Sequence, residues 1–261
     1  MILLLHSDVV GTGPKILLLH GWGLNSEVWQ PLIERLQGSF QFVLMDLPGF
    51  GHNHQSVPDS YDLDALTALV AQQLKEPMII MGWSLGGLVA QQLALNYPAL
   101  VRALICVTST PKFLATDQWP GIKAEVLKAF AMQLRSDPHK TIERFLAIQA
   151  LGSERAKADI QNLKTLLVKR PSPSKVALAS GLAILEQADL CEKICTIGCP
   201  TLRIYGRNDS LVPKATLELV EHLQPKASSM LFPAASHAPF ISHADEFANA
   251  IRDYLAKCLM A

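Results

Sequence analysis

The 261-residue sequence has little cysteine, no excess of either charge and no long hydrophobic run. Its five cysteines are an odd number in a chain long enough to bury a large core, so disulfide staples are not expected. Lys and Arg total 23 and Asp and Glu total 23, which argues against a dedicated nucleic-acid binder. No apolar run approaches the roughly 20 residues that span a bilayer, and the first residues lack a secretory signal's basic segment. We expect a cytoplasmic monomer without nucleic-acid or membrane partners.

Short apolar runs alternate along the chain with longer amphipathic segments. Six of these runs are typical of strands that are buried on both faces of a sheet: residues 16–19, 42–45, 78–81, 104–107, 202–205 and 230–232. Helical patterns occupy residues 85–96 and, near the end of the chain, residues 246–257. This alternation predicts an α/β fold with a mostly parallel central sheet flanked by helices.

The segment from residue 112 to residue 180 departs from this alternation. It has no convincing strand, and its helical patterns are interrupted by four prolines: Pro120, Pro138, Pro171 and Pro173. It holds twelve basic and six acidic residues, a net charge of +6, so the rest of the neutral chain carries −6. We predict a basic helical cap, residues 112–181, inserted into a core formed by residues 1–111 and 182–261.

The strongest motif is Gly82-Trp83-Ser84-Leu85-Gly86, a G-x-S-x-G pattern between a predicted strand and a predicted helix. That context predicts a nucleophile elbow, a tight turn that holds a serine in a strained conformation between two glycines. The first amides of the helix then face the negative charge that develops beside the serine. An ordinary glycine-rich turn is the alternative.

A nucleophilic serine needs a base, and the base needs an orienting acid. In this architecture the acid and then the histidine follow the serine in the chain. Asp209 and His237 each follow a predicted strand, where sites form in open α/β sheets, so we predict the triad Ser84, Asp209 and His237. The rivals are weaker, because His243 suits a helix start and no strand precedes Asp189.

The loop His20-Gly21-Trp22-Gly23 follows the first predicted strand. Acyl transfer passes through an oxyanion, and each donor preset for it is worth roughly 10²–10³ in rate. We predict that the backbone N–H groups of Trp22 and Leu85 are these donors, that the Trp22 indole lines the pocket and that His20 is structural.

Cys191, Cys195 and Cys199 are evenly spaced, but no neighbouring histidine or cysteine completes a tetrahedral zinc set. We expect three buried thiols, and neither a metal ion nor an organic cofactor.

These motifs, in this order, resemble the α/β-hydrolase superfamily and, more narrowly, its BioH family of biotin-pathway esterases. The similar segments are residues 20–25, 46–51, 82–87 and 237–243, with cap segments 119–123 and 143–147. The resemblance extends over nearly the whole chain from residue 16. It implies a serine carboxylesterase that hydrolyses the methyl ester of pimeloyl-acyl-carrier protein and also accepts small ester substrates. A carbon–carbon bond or lactone hydrolase with the same triad, or a binding protein on an inactive hydrolase scaffold, are the alternatives.

The resemblance also implies roles for residues of the cap. Five consecutive residues would line an acyl channel: Phe145, Leu146, Ala147, Ile148 and Gln149. In the family, basic cap residues hold the acidic carrier protein, and Arg144 matches such a position directly. Three further residues keep a positive charge nearby, although their neighbours differ: Lys140, Arg155 and Lys157. The net charge of the cap supports this docking, because complementary charge steers and orients an acidic partner.

Overall fold

A computed structural model describes residues 3–260, so the predicted outer limits of the core, residues 1 and 261, lie outside the described residues. Seven strands are found there: β1 (Ser7–Gly11), β2 (Lys15–Leu19), β3 (Gln41–Met45), β4 (Met78–Trp83), β5 (Val101–Val107), β6 (Thr201–Gly206) and β7 (Ser228–Phe232). They form one sheet in the order β1-β3-β2-β4-β5-β6-β7. All neighbours are parallel except β1 and β3. The predicted α/β fold with a mostly parallel sheet is confirmed.

Ten α-helices accompany the sheet in the described part of the chain. They are α1 (Gln30–Leu36), α2 (Leu63–Gln73), α3 (Leu85–Asn96), α4 (Ala124–Ser136), α5 (Pro138–Gln149), α6 (Ala156–Leu167), α7 (Lys175–Gln187), α8 (Ala215–Leu223), α9 (Pro239–Ser242) and α10 (Ala244–Met260). Every residue of β4 is buried, which suits its continuous apolar sequence. Every residue of β6 is buried as well, although this strand includes Arg203, whose guanidinium donates to Gln224 Oε1 and Gln91 Oε1.

The edge strand β1 was not predicted from the sequence. Its five residues include only two apolar side chains in succession, Val9 and Val10, and none of the five is fully buried. Because β1 pairs only with β3, a short and partly exposed strand suffices at this edge.

Between β5 and β6 the chain forms the four helices α4 to α7, which make up the proposed cap. Pro138 occupies the first turn of α5, and the Asp137 side chain caps that helix by accepting a hydrogen bond from Lys140 N at 2.9 Å. The predicted limit at residue 181 falls inside α7, because that helix continues to Gln187. We propose that the cap ends with α7.

None of the helices within residues 3–260 is long and apolar enough to cross a membrane. The expectation of three buried thiols is wrong, because these cysteines lie in the connection between α7 and β6 rather than in the sheet. Cys195 is exposed, and Cys191 and Cys199 are half-buried.

Candidate active site

Ser84 connects β4 directly to α3 in a strained backbone conformation, with φ 54° and ψ −117°. Such a conformation costs about 1–3 kcal/mol and persists only where the surroundings enforce it. A side chain on Gly82 would collide with the Gly86 carbonyl, and one on Gly86 would collide with the backbone of β2. Only glycine therefore fits at residues 82 and 86, as the sequence motif indicates.

Asp209 and His237 meet as a buried pair beyond the carboxyl ends of β6 and β7. The His237 Nδ1 and Asp209 Oδ2 atoms lie 2.7 Å apart, and both side chains are inaccessible to solvent. The other carboxylate oxygen accepts hydrogen bonds from the backbone N–H groups of Leu211 at 2.8 Å and Val212 at 3.0 Å. These three contacts leave the carboxylate one orientation, with Oδ2 facing the imidazole.

The far side of the His237 ring is free. Its Nε2 atom is buried and has no hydrogen-bond partner among the described residues, Ser84 included. The histidine lies close to the end of β4, because its carbonyl accepts a hydrogen bond from Trp83 Nε1 at 2.8 Å. Hydrogen bonds between a nucleophile and its base are often formed only once substrate is bound. His237 Nε2 is therefore a buried nitrogen that is available to accept a proton from a nucleophile.

The two rival residues have other partners. His243 lies between α9 and α10, where its Nδ1 is 2.8 Å from Ser242 Oγ. Asp189 forms a salt bridge of 2.8 Å with Lys112 at the base of the cap. Both contacts are structural, and the described hydrogen bonds place neither residue against His237 or Ser84.

The two predicted oxyanion donors are also free. Gly21 packs against the nucleophile, since a Cβ placed on it would lie 3.3 Å from Ser84 Cβ. The next residue is Trp22, and its N–H and that of Leu85 donate no hydrogen bond to any residue the structure describes. Both residues are fully buried. Two unpaired buried N–H groups are costly in any other setting and are what an oxyanion hole requires.

His20, expected to be structural, controls the orientation of one of these donors. Leu47 N donates to His20 Nε2 at 2.9 Å, so the proton of the neutral ring is on Nδ1, 2.8 Å from the Gly21 carbonyl. Burial lowers the pKa of His20 from its ordinary value of 6.5, in keeping with this neutral form. Because the peptide bond is planar, fixing the Gly21 carbonyl also fixes the Trp22 N–H on its opposite side.

An aromatic wall lies beside this loop. The ring of Trp22 is 4.8 Å from that of Phe145, which is 5.5 Å from that of Phe130. The Trp22 indole N–H donates to the Leu178 carbonyl on α7 at 2.8 Å, so the ring bridges core and cap. The wall packs α4 and α5 against the loop of residues 20–23, next to the predicted oxyanion donor Trp22.

The five predicted channel residues do not share one face of α5. Phe145, Leu146 and Gln149 are buried, whereas Ile148 is half-buried and Ala147 is exposed. The helical period of 3.6 residues places Ala147 on the opposite side from the buried set, so five consecutive residues cannot all line one channel. We retain the three buried residues as the candidates.

Gln149 stands apart from the other two buried residues. Its carbonyl accepts a hydrogen bond from His237 N at 3.1 Å, so the end of α5 touches the candidate base. Both polar atoms of its side chain are buried without a partner among the described residues. A buried amide with nothing to bind is expensive, and beside a reactive centre it is a candidate substrate contact.

The four predicted docking residues are all exposed: Lys140, Arg144, Arg155 and Lys157. The first two are one turn apart on α5, and the others lie at the start of α6, which packs against α5. Arg144 is restrained, since its guanidinium lies 5.4 Å from the centre of the Phe130 ring and donates to Gln133 Oε1 at 3.2 Å.

An ionic cluster that the sequence did not reveal ties the cap to the core. Arg170 follows α6 and is buried, and it donates to Asp46 Oδ2 at 3.1 Å, Asp8 Oδ2 at 2.7 Å and Glu27 Oε1 at 2.8 Å. Its partners are more than 120 residues away along the chain, so no local pattern signals them. Glu27 lies shortly after the loop of residues 20–23, so its bond to Arg170 links the cap to that loop.

We expect Arg170→Met to lower the free energy of unfolding by about 3–5 kcal/mol, because it leaves the buried carboxylate of Asp46 and the partly buried one of Glu27 without their cation. Urea unfolding measures this loss. Lys169→Met is the matched control, because Lys169 is exposed and its contact with Glu27 is long, at 3.8 Å. Equal losses in the two variants would show that the cluster is no stronger than a surface contact.

Comparison with known proteins agrees with the observed fold. The family model described as the alpha/beta hydrolase fold matches residues 14–244. An esterase from Exiguobacterium antarcticum has a TM-score of 0.86 at 23% identity, covering 97% of this chain and 95% of that one. An enol-lactonase from Burkholderia xenovorans has a TM-score of 0.83 at 21% identity, covering 97% of this chain and 96% of that one. At such identities these structures support the fold alone.

Curated relatives are much more similar. A pimeloyl-acyl-carrier-protein methyl ester esterase of Aeromonas hydrophila is 46% identical over 245 residues, 94% of this chain and 96% of that protein. The protein of the same name from Pseudoalteromonas atlantica is 47% identical over 244 residues, 93% of this chain and 95% of that protein. The resemblance noted in the motifs is confirmed over nearly the full length. This chain therefore belongs to the α/β-hydrolase family and, within it, to the family of the pimeloyl-acyl-carrier-protein methyl ester esterases.

Proposed function

We propose that this protein hydrolyses the methyl ester of pimeloyl-acyl-carrier protein, the activity for which its relatives are named. The observation that carries the proposal is the buried pair of His237 and Asp209, 2.7 Å apart, at the same sheet edge as the strained Ser84. Such a pair activates a hydroxyl nucleophile, and two free amides beside Ser84 suit the oxyanion of ester hydrolysis.

The proposed reaction begins when Ser84 Oγ attacks the ester carbonyl carbon and His237 Nε2 takes the hydroxyl proton. The Trp22 and Leu85 N–H groups hold the oxyanion of the tetrahedral intermediate. As this intermediate collapses, the imidazolium returns the proton to the departing methoxy oxygen, so methanol leaves and an acyl-serine remains. Asp209 keeps the proton on Nδ1 and stabilises the imidazolium.

The second half repeats these steps with water in place of the serine hydroxyl. His237 Nε2 takes a proton from a water molecule as its oxygen attacks the acyl carbon, and the same two N–H groups hold the second oxyanion. The bond to Ser84 Oγ then breaks, the proton returns to that oxygen, and the free carboxylic acid is released. Every step uses a protein group or water.

The surroundings of the triad suit a linear acyl chain. The aromatic wall of Trp22, Phe145 and Phe130 offers an apolar surface for its methylene groups. The unpaired Gln149 amide, close to His237, supplies a polar partner for an oxygen of the substrate. We propose that these residues hold the pimeloyl chain with its methyl ester at Ser84.

The exposed basic residues of α5 and α6 support docking of an acidic carrier protein. If Arg144 contributes, we expect Arg144→Glu to lower kcat/KM for the carrier-bound ester roughly tenfold, because it reverses a charge facing the partner. Hydrolysis of a short nitrophenyl ester by the same variant is expected to stay near the wild-type rate.

The matched control is Lys226→Glu, which makes the same charge reversal at an exposed position of the core between α8 and β7. Equal loss on both substrates for Arg144→Glu would indicate damage to the Phe130 contact rather than lost docking. Equal loss of carrier-bound turnover in the two variants would contradict a docking surface on the cap.

The proposed function is tested by measuring wild-type turnover of three substrates: pimeloyl-carrier-protein methyl ester, a short nitrophenyl ester and a ring-cleavage diketone. We expect the highest kcat/KM for the carrier-bound ester and no turnover of the diketone. Turnover of the short ester alone would support an esterase but contradict the carrier-bound methyl ester as its substrate. Faster cleavage of the diketone would replace the proposal with carbon–carbon bond hydrolysis.

A further inference from the structure

Thr108, the residue that follows β5, has a backbone conformation that is costly for a β-branched side chain. Its φ is 39°, and among the described residues only Ser84 is another non-glycine residue with a positive φ. Thr108 is fully buried, one residue beyond the strand that lies beside the nucleophile strand β4. Strain of this kind persists where other contacts enforce it and is concentrated at functional sites.

The hydroxyl of Thr108 binds the backbone of the candidate base. Its Oγ1 donates to the His237 carbonyl at 2.6 Å, and the Trp83 indole N–H donates to the same oxygen at 2.8 Å. Two donors from two neighbouring strand ends therefore hold one carbonyl group. The carbonyl belongs to the residue whose imidazole has to reach Ser84, so these bonds set where the side chain begins.

The same short segment also fixes the nucleophile and the acid-bearing strand. Ser84 N donates to the Val107 carbonyl at 3.1 Å, and Ser109 Oγ donates to the Ser84 carbonyl at 2.8 Å. Thr108 N donates to the Ile204 carbonyl of β6 at 2.7 Å. Residues 107–109 contain no member of the triad, yet they hold both Ser84 and His237 by hydrogen bonds.

We propose that Thr108 is a positioning residue for hydrolysis, whose strained backbone carries its hydroxyl to the His237 carbonyl and thereby aims His237 Nε2 at Ser84. The proposal rests on the proposed function, since it is measured as Ser84-dependent ester turnover. Such positioning affects the reaction rate, because displacement of a catalytic group by about 1 Å lowers the rate by up to roughly 10²-fold.

The test compares Thr108→Val, which keeps the shape and removes the hydroxyl, with Thr108→Ser, which keeps the hydroxyl. With a short nitrophenyl ester we expect Thr108→Val to lower kcat roughly tenfold to a hundredfold while KM changes less than about twofold. Thr108→Ser is expected to stay within about threefold of wild type. Thr110→Val is the control, since the buried Thr110 hydroxyl has no partner among the described residues.

A third variant separates positioning from folding. Thr108→Gly accepts a positive φ without strain but has no hydroxyl, so its Tm is expected at or above that of Thr108→Val while its kcat is equally low. If Thr108→Val keeps the wild-type kcat, or if Thr108→Ser loses as much kcat as Thr108→Val, this inference is overturned while the proposed function stands. A wild-type protein without Ser84-dependent turnover of any ester would overturn the proposed function and this inference together.

Discussion

Replacing Ser84 with alanine is expected to lower kcat for the carrier-bound ester roughly 10⁶-fold, the loss typical of removing a triad nucleophile. Without the hydroxyl no acyl-serine forms, and the oxyanion donors and bound water retain only a small residual rate. The measurement is single-turnover hydrolysis at high enzyme concentration, so that slow residual turnover is still detected.

Ser26→Ala is the matched control for this prediction. Ser26 is also buried, and its hydroxyl has no hydrogen-bond partner in the described part of the chain. Its removal therefore takes one oxygen from the interior without touching the reaction, and wild-type turnover is expected. A Ser84→Ala protein that keeps more than about one hundredth of wild-type kcat would contradict Ser84 as the nucleophile.

Asp209→Asn is expected to lower kcat roughly 10⁴-fold with little change of structure. The carbonyl oxygen of the introduced amide can still accept from Leu211 N and Val212 N, which turns the new NH₂ group toward His237 Nδ1. An NH₂ donor there favours the tautomer with its proton on Nε2, which cannot accept the Ser84 proton. Steady-state kinetics of the short ester measure the loss.

Asp189→Asn provides the comparison, because it makes the same chemical change at the rival carboxylate. Asp189 binds Lys112 on the surface, so its variant is expected to keep nearly full kcat and to lose at most about 1 kcal/mol of stability. The assignment of the acid would be contradicted if Asp189→Asn were the slower of the two.

The parts of the site predicted from the sequence are those with local signatures. Ser84 stands in a glycine-bounded turn after an apolar strand, and its strained φ is the consequence of that turn. Asp209 and His237 follow β6 and β7, which pair in parallel, so the loops after these strands meet at the same edge of the sheet. Strand pattern and chain order together select them as the candidates among the acids and histidines.

The remaining contacts depend on residues that are distant along the chain. Arg170 finds its acids only when the cap folds onto the core, and Thr108 looks like any buried threonine until its hydroxyl meets the His237 carbonyl. His20 gave a weak signal, a histidine before glycine at a strand end, but its control of the Trp22 N–H follows only from the Leu47 contact.

We propose two changes to the sequence predictions, and each has a simple physical reason. The run of five channel residues came from a resemblance in sequence, which does not show that Ala147 lies on the exposed side of α5. The limit of the cap at residue 181 lies within a helix, because α7 has no break between its start and Gln187. The helical period of 3.6 residues suggests the first change from the sequence alone, whereas the second depends on where α7 ends in the folded structure.

The central claim is that Ser84 removes the methyl group from carrier-bound pimeloyl ester, and the intact mass of the carrier protein tests it most directly. Incubation with wild-type enzyme is expected to reduce the mass of the loaded carrier by one CH₂ unit, while Ser84→Ala leaves it unchanged. An unchanged mass with wild-type enzyme, or loss of the whole acyl chain from the carrier, would contradict the account.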